Sequence, residues 1–130
     1  MANQEVPIDF ADLIGVPFQY GGRGPARFDC YGLIMDLHRR QGKSLPDFGF
    51  ASDQALVAAM MGATLPQWKE VKQRPGAVVL IRVGRYVAHV GYMINQYQMI
   101  HTWEHSGGVS IVQVESWKQR IVGFYEYVGH

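Results

Sequence analysis

Five short runs rich in β-branched and aromatic residues fill the second half of the chain, at residues 77–83, 87–94, 98–102, 109–114 and 121–128. They are separated by Gly84-Arg85, Asn95-Gln96, Gly107-Gly108 and Ser116-Trp117, which are turn chemistry. Side chains of this kind fit a pleated, half-buried surface. The pattern predicts a largely antiparallel sheet of about five strands.

The first half has a different period. Residues 8–14 alternate apolar and acidic side chains at helical spacing before Gly15-Val16-Pro17, which predicts a short helix. Residues 18–27 hold three glycines and a proline, which oppose both helix and strand and mark a loop. Asp29 then has the chemistry of an N-cap, and Leu33, Ile34 and Leu37 follow at helical spacing, predicting a helix over residues 30–40 with Gly42 as its left-handed cap. A second helix is predicted from Ser52 through Met61, ending at Gly62. Helices first and strands afterward define an α+β domain.

With 130 residues there is room for one core, so residues 1–130 are read as a single domain. Hydrophobic residues at 48% and charged residues at 18% exclude a disordered chain. A formal charge of +1 is too balanced for a protein that grips a phosphate backbone, so no nucleic-acid partner is expected. The longest apolar runs, such as residues 55–61, fall far short of the roughly 18 residues that cross a bilayer, so no membrane span is expected. The first residues, Met1-Ala2-Asn3-Gln4-Glu5, have neither the positive flank nor the apolar stretch of a secretory signal, and cytoplasmic synthesis is expected. A single cysteine excludes an internal disulfide, and Cys30 requires its own explanation.

Cys30 falls in the first turn of its predicted helix, where unpaired N–H groups and the helix dipole favour a thiolate. A free thiol near pKa 8.5 is only about 3% ionised at pH 7, so position alone would supply much of a nucleophile's activation. The alternative is a small buried hydrophobe. The glycine-rich loop just before the cysteine and the histidines in the later strands favour the nucleophile.

Of the five histidines, His38 lies beside Arg39 and Arg40 and is expected to be exposed, and His130 ends the chain. Period-2 alternation puts Val87, His89 and Gly91 on one face of their strand, and His101 closes the next. Pairing about the turn at Asn95-Gln96 brings His89 and His101 close to opposite each other, which suits a base and the residue that orients it. Two hydrogen-bonded histidines in a half-buried sheet would read the same way. A rival pattern, His101-Thr102-Trp103-Glu104-His105, matches an inverted zinc-peptidase signature. That geometry requires a helix, whereas this segment follows a strand and runs into Ser106-Gly107-Gly108, so no metal or other cofactor is expected.

Several motifs in order resemble the NlpC family of bacterial and phage cell-wall hydrolases, which are papain-like cysteine peptidases. They are Leu13-Ile14-Gly15-Val16-Pro17-Phe18-Gln19-Tyr20-Gly21-Gly22, Phe28-Asp29-Cys30-Tyr31-Gly32-Leu33, Gln41-Gly42-Lys43-Ser44-Leu45-Pro46, Arg74-Pro75-Gly76-Ala77-Val78-Val79-Leu80, Ala88-His89-Val90-Gly91 and Ile100-His101. The resemblance implies a papain-like NlpC-type fold with N-terminal helices packed on the sheet. It also implies Cys30 as nucleophile, His89 as general base and His101 as the residue that orients His89. The same roles follow from chemistry: a thiolate attacks an amide carbonyl, and an imidazolium protonates the leaving amine. The Cys30 N–H is the natural oxyanion donor. Tyr20, Gly21, Gly22, Arg23, Asp29 and Tyr31 are the candidate substrate-binding residues, and Arg23 and Arg27 are either stem-carboxylate ligands or solvated charges.

Phe18, Tyr31 and Ala77 depart from the Tyr, Ser and Asp usual in the family, so either the hydroxyl donor at position 18 is absent or Tyr20 substitutes for it. The implied activity is hydrolysis of amide bonds in peptidoglycan stem peptides. The Asp-Cys-aromatic-Gly-Leu variant resembles phage tail-associated members, which implies tail proteins as partners and a virion-associated or periplasmic destination. The alternatives are a non-catalytic tail or adaptor protein of the same fold, and an acyltransferase or thioesterase using the same triad.

Overall fold

The computed structural model describes residues 5–49 and 54–129. Helices α1 (Cys30–Arg39) and α2 (Gln54–Thr64) precede strands β1 (Trp68–Val71), β2 (Val78–Val83), β3 (Tyr86–Met93), β4 (Gln98–His101), β5 (Ser110–Gln113) and β6 (Ile121–Tyr127). The strands form one six-stranded sheet in the order β1-β6-β2-β3-β4-β5, with every neighbouring pair antiparallel. The α+β architecture is therefore the one the sequence predicts, with six strands in place of five.

The added strand is β1, in which only Trp68 and Val71 are even half-buried and Lys69 and Glu70 are exposed. Four residues with a charged middle carry no alternation to read. Its place comes from its partner: Trp68 pairs with Tyr127 of β6, and their rings meet edge to face at 5.3 Å. At the N-terminus the predicted helix over residues 8–14 shrinks to one 3-10 turn, Ala11–Leu13, with Leu13 buried. A segment this short nucleates no helix by itself. The predicted start of the second helix at Ser52 lies outside the described residues, and α2 continues through Gly62 to Thr64.

Both sheet faces are covered. Val78, Leu80, Val90, Tyr92 and Ile100 pack on Leu33, Ile34 and Leu37 of α1. Val79, Ile81, Met93 and Met99 face the other way, toward Val114, Trp117 and Phe124. This explains why β2 reads as an unbroken apolar run: its residues 78–81 are buried whichever way they point. Leu33, Ile34 and Leu37 are fully buried, at about 1.5–3 kcal/mol each, and this fixes α1 on the sheet. Past the end of α1, Gly42 adopts φ +76°, the left-handed cap expected of it.

His38 departs from expectation. It is buried, its Nδ1 lies 2.8 Å from the Ile34 carbonyl oxygen, and its ring lies against Tyr92. Its position on the helix, four residues after Ile34, turns it to the sheet while the neighbouring arginines reach solvent. Among the described residues no helix is long and apolar enough to cross a membrane.

Candidate active site

The loop before α1 is clamped to the helix head through Asp29. One carboxylate oxygen accepts from the Gly32 N–H at 2.6 Å, which makes Asp29 the N-cap of α1, and the other accepts from the Gly21 N–H at 3.1 Å. Arg23 donates to both oxygens at 2.8 Å. The Asp29 N–H in turn donates to the Gly22 carbonyl. This closeness is why residue 32 is glycine: a Cβ there would lie 2.1 Å from the Gly22 oxygen.

Arg23 is thus occupied within the protein. Besides Asp29 it pairs with Asp47 and donates to the carbonyl oxygens of Gly22 and Gly49. The reading of Arg23 as a ligand for substrate carboxylates or as a solvated charge gives way to that of an internal clamp. Arg27 stays exposed. Tyr31 donates its hydroxyl to the Pro46 carbonyl at 2.8 Å and packs on Phe48.

Cys30 is 7% exposed at the head of α1. β3 meets it from the sheet. The Ile94 N–H donates to the Gln98 oxygen, so alternate residues of β3, Val90 among them, turn their amides toward the β4 edge. β4 stops at His101, and the Val90 amide, left without a β4 partner, favours the Cys30 thiolate. The backbone amides of Tyr31 and Cys30 favour the thiolate in the same way, but burial outweighs all three and pushes the thiol up to about 12, with the Asp29 carboxylate adding to the rise. The expectation that the helix head leaves Cys30 as a thiolate is therefore corrected. Desolvation wins, and the group at rest is a thiol.

His89 and His101 are 2% and 1% exposed. The pairing of Tyr92 with Ile100 and Met93 with Met99 places His101 opposite Gly91 rather than opposite His89. The two histidines are diagonal neighbours on one face, and the space over Gly91 is taken by the Met99 sulfur, which a Cβ there would meet at 2.8 Å. His89 Nε2 lies 2.8 Å from His101 Nδ1. Trp117 packs edge to face on His101 at 5.1 Å between ring centres, and Trp103 lies 6.0 Å from His89. Burial, and after it the neighbouring His101, hold His89 well below 6.5, and burial holds His101 to about 4, so both rings are neutral at pH 7.

Cys30 and His89 line one cavity, together with Tyr20, Arg23, Asp29 and Tyr31. Gly21 and Gly22 stand behind it, positioning Asp29. Phe18 and Tyr20 meet edge to face in the wall. Residues the sequence did not single out as lining are Phe48, Val57, Met61, Trp68, Trp103 and Glu104. Trp103 and Glu104 lie two and three residues after His101, which is the available signal. The others come from elements that only the tertiary fold brings there. His105, of the rival zinc pattern, lies exposed in the turn beyond β4, away from the buried His101. Among the described residues no three His, Cys, Asp or Glu side chains are placed to hold a metal ion.

A cysteine at a helix head, sharing a cavity with an imidazole whose Nε2 is held by a second imidazole, has the residue types of the cysteine hydrolases. The chain belongs to the NlpC/P60 family, whose family model matches residues 15–126. It is 30% identical over 111 residues to a probable endopeptidase p60 of Listeria grayi, covering 85% of this chain and 20% of that protein. It is 29% identical over 103 residues to a probable endopeptidase of Mycobacterium tuberculosis, covering 79% and 24%. The chain spans between a fifth and a quarter of the length of these relatives. The P60 domain of an antigen from M. avium subspecies paratuberculosis has the same fold, with a TM-score of 0.62 at 20% identity over 91% of this chain and 88% of that one.

Proposed function

We propose that the chain is a cysteine endopeptidase that hydrolyses amide bonds in the peptide stems of peptidoglycan, with Cys30 as nucleophile, His89 as general base and His101 as its orienting partner. The observation that carries this reading is the pairing of His89 Nε2 with His101 Nδ1 in a cavity that His89 shares with Cys30. With Nε2 engaged, Nδ1 is the nitrogen of His89 left for proton transfer.

Burial raises the Cys30 thiol and lowers His89, which favours a neutral thiol and a neutral imidazole in the resting site. Attack on the substrate carbonyl then proceeds with transfer of the Cys30 proton to His89 Nδ1, and His89 passes it to the departing amine. Water deacylates the thioester by the reverse use of the same groups. The Asp29 cap takes the N–H of Gly32 rather than that of Cys30, so the Cys30 amide at the helix head serves the oxyanion.

The names of the relatives, probable endopeptidases, support the amide-hydrolase reading. Incubation of the chain and its Cys30→Ala variant with purified muropeptides, followed by mass analysis, tests it: the wild type releases cleaved stems and the variant does not. Equal turnover by both overturns the mechanism. The tail-associated setting belongs to the same proposal and rests on the Asp29-Cys30-Tyr31-Gly32-Leu33 variant. Mass analysis of purified virions encoding the chain tests it, and absence from them rejects it.

A further inference from the structure

The cavity that holds Cys30 does not end at the thiol. Its wall follows the sheet from Val90 on β3, across Leu80 on β2 and Tyr125 on β6, to Trp68 on β1, with Val57 and Met61 of α2 opposite. These four strands are consecutive neighbours, so the cavity crosses three strand spacings, about 14 Å. Apolar side chains dominate this wall. Among the described lining residues the only Lys or Arg is Arg23, which Asp29 and Asp47 already hold, and Glu104 adds a negative charge at the wall. A carboxylate entering here would meet no available cation and would lose its hydration.

We propose that this cavity is a subsite for an apolar acyl group on the carbonyl side of the scissile bond, so that the chain hydrolyses acyl esters and thioesters of extended alkyl chains through Cys30. The proposal rests on the reading of Cys30 as nucleophile and His89 as base. The acyl side is chosen by chemistry: the leaving group must depart after His89 protonates it, whereas the acyl group stays bonded to the sulfur and belongs along the apolar wall that runs on from Cys30.

In the first step the Cys30 sulfur bonds to the carbonyl carbon and its proton moves to His89. The tetrahedral adduct then expels the alcohol or thiol, which takes that proton. In the second step water attacks the thioester and gives its proton to His89. The carbon–sulfur bond breaks, and the sulfur recovers the proton as the carboxylic acid leaves.

Hydrolysis of p-nitrophenyl acetate, butyrate, hexanoate and octanoate by the wild type, Cys30→Ala and Met61→Trp tests the proposal. The Cys30-dependent kcat/KM is expected to rise about two- to fourfold for each added methylene as it leaves water. Met61→Trp, which fills the cavity opposite the sheet, is expected to lower the octanoate-to-acetate ratio at least tenfold. Val57→Trp gives a second obstruction should Met61→Trp fail to fold. A flat or falling chain-length profile with Cys30-dependent turnover of acetate overturns the acyl subsite and leaves the catalytic reading intact. Absence of Cys30-dependent turnover on every ester also overturns it, and muropeptide cleavage by the wild type but not by Cys30→Ala then shows whether the nucleophile reading survives.

Discussion

His89 on β3 and His101 at the end of β4 are joined ring to ring by a 2.8 Å hydrogen bond that runs diagonally across the strand pair. For His89 to act as a base at Nδ1 it must carry its proton at Nε2 and donate it to His101 Nδ1. His101 therefore selects a tautomer. An amide oxygen can accept the same proton, and a methyl group cannot.

The order of activities expected from this is wild type, then His101→Asn, then His101→Ala, with His89→Ala lowest. General acid–base catalysis contributes about 10²–10⁴-fold, and His89→Ala is expected to lose that much or more. Steady-state kinetics on muropeptides with circular dichroism of each variant checks the order. Full activity in His89→Ala would remove it as the base, and equal losses in His101→Asn and His101→Ala would remove the tautomer role.

Burial holds the Cys30 thiol up to about 12 and His89 well below 6.5. The raised thiol means that the reactive thiolate is a small fraction throughout the neutral range and grows about tenfold with each pH unit until the pKa is reached. Alkylation of the folded chain by iodoacetamide is therefore expected to accelerate log-linearly from pH 6 to 9 with no plateau, and the unfolded chain is expected to level off near pH 9. A plateau between pH 5 and 8 in the folded chain would show a thiolate–imidazolium pair instead. Mass analysis of labelled Cys30 at timed intervals gives the rates.

The central strands, α1 with its Asp29 cap, and the nearness of His89 to His101 were legible because each rests on local chemistry: alternation, a capping carboxylate, a short turn. At that turn the Asn95 side chain accepts from the N–H groups of Tyr97 and Gln98, so the feature read from sequence is the one that fixes the hairpin. What sequence did not reveal depends on distant parts of the chain. β1 exists because β6 offers it an edge. The charge of Arg23 is spent on Asp47, 24 residues away. His38 is buried because Tyr92 approaches from the sheet. The thiol state of Cys30 has the same origin: the helix head is visible in sequence, and the burial that outweighs it comes from the tertiary fold.

Glycine at position 32 has a packing cause that glycine at 62 lacks, although both lie in helices. A Cβ on Gly32 would sit 2.1 Å from the Gly22 carbonyl oxygen, a backbone atom that the Asp29 N–H also holds. A Cβ on Gly62 would meet nothing within 4 Å. Alanine is ordinarily the better helix residue by about 0.5–1 kcal/mol, so Gly62→Ala is expected to stabilise the chain by up to that amount. In Gly32→Ala the loop must be forced off the helix head. That overpacking is expected to cost about 2 kcal/mol or more, and to lower activity as Cys30 moves relative to His89. Urea unfolding of the two variants checks the signs. A neutral or stabilised Gly32→Ala would mean that the loop and helix head are not clamped as the Asp29 network indicates.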